Sequence, residues 1–226
     1  MIDGRKILGV IPARGGSKRL PGKNLLPVAG RPMIAWTVAA ARGSKYLDRL
    51  IVSTDDPRIA DAARGLGVEV PFLRPAALSG DTATSEDVLI HALDSVGGDF
   101  ALAVLLQPTS PLCLAEDIDG AIQACVAAKA PACVSVCVPA KPLAWLMTKN
   151  DAGCLRRIFA AGQVPEPAYL PNGAAFVVDI AAFRRDQKFY PGAAVPYVMP
   201  AERSLDVDTE TDLAAAEVLL RKRATR

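Results

Sequence analysis

The chain has 226 residues, 51% of them hydrophobic and 22% charged, which fits one globular α/β domain with a well-buried core and excludes a disordered chain. Lys and Arg number 26 against 24 Asp and Glu, a net charge of +2 that argues against a nucleic-acid binder. No apolar run reaches the ~18 residues of a membrane span.

The N-terminal stretch shows neither a long apolar segment nor a small-residue cleavage site, so no signal peptide is expected. The cysteines are Cys113, Cys125, Cys133, Cys137 and Cys154, and none forms a C-x-x-C pair. Their expected state is the reduced thiol of a cytoplasmic protein, with Cys133 and Cys137 as small hydrophobes on one strand face.

In chain order, "KILGVIP" (6–12) predicts a buried strand that runs into a glycine-rich turn. "MIAWTVAAAR" (33–42) predicts a helix entered through Pro32, and "RLIVST" (49–54) a second strand. "PRIADAARGLG" (57–67) reads as an amphipathic helix closed by Gly67, followed by a strand "VEVPFL" (68–73). A helix near 85–96, a strand over 100–107, a helix near 115–129 and a strand over 132–139 come next. Beyond about 140 the alternation loosens, and "LMTKNDAGCLRRI" predicts a hairpin around Asn150–Gly153. A strand "GAAFVVDI" (173–180) and a helix in "TETDLAAAEVLLRKR" (209–223) close the pattern, and the basic tail "RKRATR" reads as a solvated terminus. Strands alternating with helices imply an α/β, mostly parallel sheet with right-handed crossovers and a small antiparallel insertion. Ligands then belong beyond the carboxyl ends of the strands, at the loops after 12, 54 and 107.

The first of these loops, in "IPARGGSKRLPGKN" (11–24), sets Arg14, Lys18, Arg19 and Lys23 among three glycines. Neither a G-x-G-x-x-G fingerprint nor a Walker loop is present. Glycine amides and cationic side chains together make an anion cradle suited to a polyphosphate; the alternative is a solvated loop of dispersed charge. "LLQPTSPL" (105–112) ends a strand with a polar turn at the same edge. "SLDVDTETDL" (204–213) carries Asp206 and Asp208, which an extended chain would put on one face as oxygen donors for Mg²⁺. Equally, Asp208 or Thr209 could cap the closing helix with Asp212 in its first turn. His91, the lone histidine, is expected to be packed or solvated, and no G-x-S-x-G elbow or cysteine–histidine pair signals a nucleophilic hydrolase.

Six stretches, in order and spacing, carry a resemblance: "IPARGGSKRLPGKN", "IVSTDD", "FLRPAALSGDTATS", "LLQPTSPL", "LPNGAAFVV" and "SLDVDTETDL". Together they resemble the acylneuraminate (CMP-sialic acid or nonulosonic acid) cytidylyltransferases over about residues 6–220. The CMP-3-deoxy-octulosonate synthetases are more distant relatives. The resemblance implies a single domain over 1–226, Rossmann-like and of glycosyltransferase-A type, with a dimerisation and sugar-site insertion near 140–170. It implies a homodimer that transfers CMP from CTP to the anomeric hydroxyl of an α-keto acid sugar, with Mg²⁺ as cofactor; charge balance and the lack of a long apolar run imply no nucleic-acid or membrane partner. A glycosyltransferase using Asp206 and Asp208, a CMP-3-deoxy-octulosonate synthetase and a catalytically silent nucleotide-binding protein are the alternatives.

Carried over position by position, Arg14 and Lys23 would hold the triphosphate, with Gly15, Ser17 and Lys18 in the same loop. Asn24 would contact the nucleotide, Arg74 and Ser85 would read the cytosine, and Gln107 and Asn172 would face the sugar. Asp206 and Asp208 would bind the metal and, with Arg14 and Lys23, serve the transfer itself. Two departures fall on the sugar side. Cys113 stands where many members have arginine after "PTSPL", and Leu170 precedes "PNG" where they often have arginine.

Overall fold

The computed structural model describes residues 1–160, 163–164 and 167–224. Strand β1 (Lys6–Pro12) is flanked on both sides in the sheet, by the strands over 49–53 and 100–106, and every residue between its ends is buried. After it come two short strands, β2 (Pro27–Val28) and β3 (Arg31–Pro32), and helix α1 (Met33–Gly43). Strand β4 (Arg49–Ser53) leads to α2 (Pro57–Gly65), where Pro57 sits at the first turn and the Asp56 carboxylate accepts from the Arg58 amide. Helix α3 (Ser85–Val96) starts in a capping box made by Thr84 and Asp87. Then follow β5 (Phe100–Leu106), α4 (Ala115–Ala127), β6 (Ala132–Cys137) and a hairpin of β7 (Met147–Lys149) and β8 (Leu155–Arg157). Strand β9 (Leu170–Asp179), α5 (Ile180–Asp186), β10 (Val195–Val198) and α6 (Glu210–Ala224) complete the chain.

The main sheet has six strands in the order β10-β6-β9-β5-β1-β4. β1 pairs in parallel with β4 and β5, and β6 with β10. The α/β class and mostly parallel sheet expected from the alternation are present, as is the antiparallel hairpin about Asn150–Gly153. Residues 161–162 and 165–166 of the expected insertion, and 225–226 of the basic tail, lie outside the described residues.

Helix α5 and the short β2–β3 pair have no counterpart in the sequence expectation, and three features of the sheet depart from it. The strand over 68–73 reduces to isolated bridges, Ile51 with Glu69 and Thr54 with Leu73, because Pro71 supplies no donor to extend the ladder. β9 runs antiparallel between β5 and β6, so the antiparallel component is not confined to the hairpin. The third is β10, whose Pro196 weakens its sequence signal; the strand holds because it lies at the sheet edge and needs only one partner.

Alternation along the strands divides the core. Ile7, Ile11, Leu102, Val104 and Leu106 point with Val177 to the face covered by α1, α2 and α4. Leu8, Val10, Ala103, Leu105, Phe176 and Val178 point to the other face, where α3 and α5 contribute Leu89, Leu93 and Phe183. A third cluster joins Leu20, Val28, Met33, Leu112 and Val207 to Ala216 and Leu220 of α6. It fixes the glycine-rich loop to the end of the chain.

Because β1 connects to β4 on one side while β5 lies on its other side, the strand order reverses between β1 and β5. A crevice at such a point is where open α/β sheets hold ligands. The reversed direction of β9 brings its first residues, Leu170–Gly173, to that same edge.

Candidate active site

At the reversal point lies a cleft of about 310 Å³ lined by Arg14, Lys23, Asn24, Arg74, Ser85 and Gln107. These six residues come from three of the stretches quoted above, and Asp81, Thr84 and Thr109 complete the polar wall.

The floor is the loop after β1. The Gly15 amide donates to Asp55 Oδ1 at 3.0 Å, and a Cβ at Gly15 would stand 2.7 Å from Asp56 Oδ2, so only glycine fits there. Gly22 takes φ 67° to enter a single 3₁₀ turn, Lys23–Leu25, that aims Lys23 and Asn24 inward. Asn24 is buried and donates to the Arg14 carbonyl at 2.9 Å, while its Oδ1 has no hydrogen-bond partner. Arg14 donates to the Gly80 carbonyl at 3.0 Å. Lys23 Nζ lies 3.1 Å from Asp208 Oδ1, and Arg19 is 2.9 Å from Asp208 Oδ2.

The opposite wall is held by Arg74. Its amide donates to the Thr54 carbonyl at 2.7 Å, its Nε to Ser79 Oγ at 3.1 Å, and its Nη2 lies 3.7 Å from Asp55. Burial pulls the guanidinium pKa down, against the pull of Asp55 in the other direction. An incompletely compensated buried guanidinium is a ready donor to an acceptor-rich ligand edge. Ser85 opens α3 at the same wall, one residue past the Thr84 cap.

Behind Lys23 stand the two carboxylates. Leu205–Asp208 is not a strand, yet both side chains stay clear of the helix cap. Thr209 and Asp212 form that cap reciprocally, Thr209 N to Asp212 Oδ2 at 2.9 Å and Asp212 N to Thr209 Oγ1 at 3.2 Å. Asp206 is held above the ordinary carboxylate range, mainly by burial and further by Asp208, with a bond from Thr109 acting the other way. A Cβ on Gly173 would come within 3.1 Å of Gln107 Oε1 and 3.7 Å of Asp206 Oδ2, so the irregular, positive-φ start of β9 joins the cleft to the carboxylate pair.

Other site residues fall elsewhere. Ser17 and Lys18 lie outside the lining, and Lys18 reaches an ion pair with Asp81. Asn172 also lies outside it: its buried amide accepts from Ser135 Oγ at 2.6 Å and donates to Ser204 Oγ at 2.9 Å, an internal brace between β6, β9 and the 201–204 turn. Cys113 is buried, with its thiol pushed up to about 12 by desolvation and then by Asp117. It is a filler beside the Arg203–Asp117 pair, in which Asp117 is fully buried and bonded at 2.9 and 2.8 Å. Leu170 is exposed at the head of β9. Sequence reasoning passed over Asp55, Asp81 and Thr109. Each sits inside a stretch quoted above, in a polar turn directly after a strand or before a helix cap.

The chain matches the Cytidylyltransferase family model over residues 8–164. It is 35% identical over 225 residues to the CMP-N,N'-diacetyllegionaminic acid synthase of Legionella pneumophila, covering 95% of this chain and 96% of that protein. It is 32% identical to the N-acylneuraminate cytidylyltransferase of Escherichia coli, covering 96% of this chain but spanning only 53% of that relative. A solved CMP:2-keto-3-deoxy-manno-octonic acid synthetase complexed with CTP superposes with a TM-score of 0.73 at 21% identity, covering 96% of this chain and 99% of that one. By the family model and by a relative matched along nearly its whole length, the chain belongs to the cytidylyltransferases.

Proposed function

We propose that this cytidylyltransferase moves CMP from CTP to the anomeric hydroxyl of a nonulosonic α-keto acid sugar and releases pyrophosphate. The observation that carries the proposal is the single cleft shared by Arg14, Lys23, Asn24, Arg74, Ser85 and Gln107. The names of the legionaminic and neuraminic relatives support the acceptor class.

In this mechanism Arg74 and Ser85 select the cytosine, and Arg14 and Lys23 neutralise the β- and γ-phosphates as the leaving pyrophosphate gathers charge. Such transfers depend on positioning and charge stabilisation more than on protein covalent chemistry. Gln107, at the border with the carboxylate pair, orients the acceptor. Asp206 and Asp208 would hold a Mg²⁺ ion, and the donor set fits it: two hard carboxylates, one of them with its pKa raised chiefly by burial, which a bound cation would relieve. Among the described residues no cluster of three or more ligating side chains exists, so water and phosphate oxygens would complete the shell. Bound there, Mg²⁺ would neutralise charge on the transferred phosphate and acidify the attacking hydroxyl.

The active species in this proposal is a homodimer. Trp145, Leu146, Met147, Leu155 and Ile158 are all exposed on and beside the β7–β8 hairpin, a concentration of apolar surface that a second copy would cover. Because CTP is an intracellular nucleotide, the enzyme belongs in the cytoplasm, where its cysteines stay free thiols.

The test is pyrophosphate release from CTP with Mg²⁺ across N-acetylneuraminic, legionaminic, pseudaminic and 3-deoxy-octulosonic acids, with UTP, ATP and GTP alongside. Metal-dependent release with CTP and one nonulosonic acid is expected. Release only with 3-deoxy-octulosonic acid would move the acceptor to the other branch, and absence of CTP binding would sink the proposal.

A further inference from the structure

All four cations of the loop after β1 are engaged by carboxylates, and among the described residues two carboxylates share them. Asp208 takes Lys23 and Arg19. Asp81 takes Arg14, at 3.5 Å, and Lys18. Asp81 is not on the loop's side of the cleft: it lies on the opposite wall, between the 3₁₀ turn Ala76–Leu78 and α3. The Arg14 bond to the Gly80 carbonyl reinforces the same crossing. The loop is fixed at either end of this crossing. Gly15 is wedged against Asp55 and Asp56, and Leu20 is buried in the cluster under α6. Between them a Cβ on Gly16 would meet nothing within 4 Å, so the tip is free of backbone packing there. Asp81 has no part in capping α3, since Thr84 and Asp87 do that reciprocally.

We propose that Asp81 is a positioning residue that straps Arg14 and Lys18 across the mouth of the nucleotide cleft and competes with the β- and γ-phosphates for them. The strap rests on the CTP-dependent function proposed above. Empty, it holds the two cations near the places a polyphosphate needs them. An ion pair this exposed is weak, so a ligand with several negative charges displaces it. After transfer, pyrophosphate meets the competing carboxylate again, and its departure is assisted. Asp81 is therefore an acidic residue kept on the wall of an anion site, and it trades binding strength for release. The Lys18 ammonium holds the Asp81 carboxyl below the ordinary range, so the strap stays charged through neutral pH.

The experiment is calorimetric titration of Asp81→Asn and the unaltered chain with pyrophosphate, CTP and CMP, without acceptor. Asp61→Asn, which removes the same charge from the exposed pair with Arg64 on α2, is the control for net charge. Asp81→Asn should bind pyrophosphate and CTP about five- to tenfold more tightly, the order expected when one nearby charge stops repelling a multiply charged anion through screened water. CMP, which lacks the β- and γ-phosphates, should change by less than about threefold on the same argument. In a Lys18→Met background the gain from Asp81→Asn should shrink, which a purely structural role for Asp81 would not produce. Unchanged or weaker pyrophosphate binding by Asp81→Asn, an equal gain for CMP, or an equal gain from Asp61→Asn would overturn the strap alone. Failure of the unaltered chain to bind either pyrophosphate or CTP would overturn the underlying function and the strap with it.

Discussion

The cleft walls at residues 13–24 and 74–85 and the β7–β8 hairpin stand at the same edge of the sheet but are held in different ways. In the walls, polar groups are tied to fixed partners: Gly15 to Asp55, Arg74 to Ser79 and Thr54, Asn24 to the Arg14 carbonyl. Leu20 anchors the loop in the core. In the hairpin, β7 and β8 bond to each other, while Trp145 is 65% and Leu155 73% exposed. A triphosphate has the same shape in every cycle, so preorganised donors serve it best. The hairpin side leaves Trp145, Leu155 and their apolar neighbours exposed, the surface that the proposed second copy would cover.

The largest effect should come from the rigid side. Lys23→Met removes the cation that faces both cleft and Asp208, and turnover in a pyrophosphate-release assay should fall about 10²–10³-fold. A loss under tenfold would break the assignment of the transferred charge to this wall.

Next is the support behind the cleft. Arg203→Met leaves the fully buried Asp117 carboxylate without its cation, which should cost about 3–5 kcal/mol and lower Tm by roughly 10 °C or more. Adding Asp117→Leu should recover much of that loss. A lone Arg203→Met with unchanged Tm would show that water reaches the pair.

On the hairpin, Trp145→Asp with Leu155→Asp should raise the Kd of the proposed dimer about tenfold or more while the stability of each chain changes by under about 0.5 kcal/mol. Sedimentation analysis against thermal melts separates the two. An unshifted dimer would place the contact on another face. Leu170→Arg, at the exposed head of β9, should lower KM for the sugar acid about three- to tenfold and leave KM for CTP alone, by giving the substrate carboxylate a guanidinium. Equal changes in both would show that Leu170 belongs to the nucleotide side.

The smallest effect has an opposite sign. Asp206 is held above its ordinary pKa, so ionised Asp206 weakens the folded state at neutral pH. The stability it lacks is regained as pH falls through its folded pKa toward the unfolded value. Asp206→Asn, without nucleotide or metal, should therefore melt about 2–4 °C higher at pH 7, the shift of roughly 1 kcal/mol in a chain this size. The difference should narrow as the pH is lowered into the ordinary carboxylate range, where the native carboxyl is neutral too. A gap independent of pH would assign the effect to packing.

Local signals served well wherever the determining contact was local. The apolar run 6–12, the helix over 33–42 and the hairpin about Asn150–Gly153 all follow from neighbours in sequence. The choice between metal donor and helix cap for "DVDTETD" was not decidable that way, because Asp208 and Thr209 are both good caps. It turns on Thr209 pairing with Asp212, and on Lys23 and Arg19, 185 and 189 positions upstream, taking Asp208. Asn172 shows the converse, since its motif suggested a ligand contact and its amide is used by Ser135 and Ser204.

The sequence by itself determined the class of fold, the cationic loop with its glycines, and the edge of the sheet where a ligand belongs, because strand period, turn chemistry and charge are written in adjacent residues. Only the tertiary structure decided that β9 runs backwards through the middle of the sheet, that Gly173 brings Gln107 beside Asp206, and that Asp81 closes on Arg14 and Lys18. Those are meetings of residues tens to hundreds of positions apart. Whether they meet depends on strand order and on which buried charge finds which partner, and no local pattern encodes either.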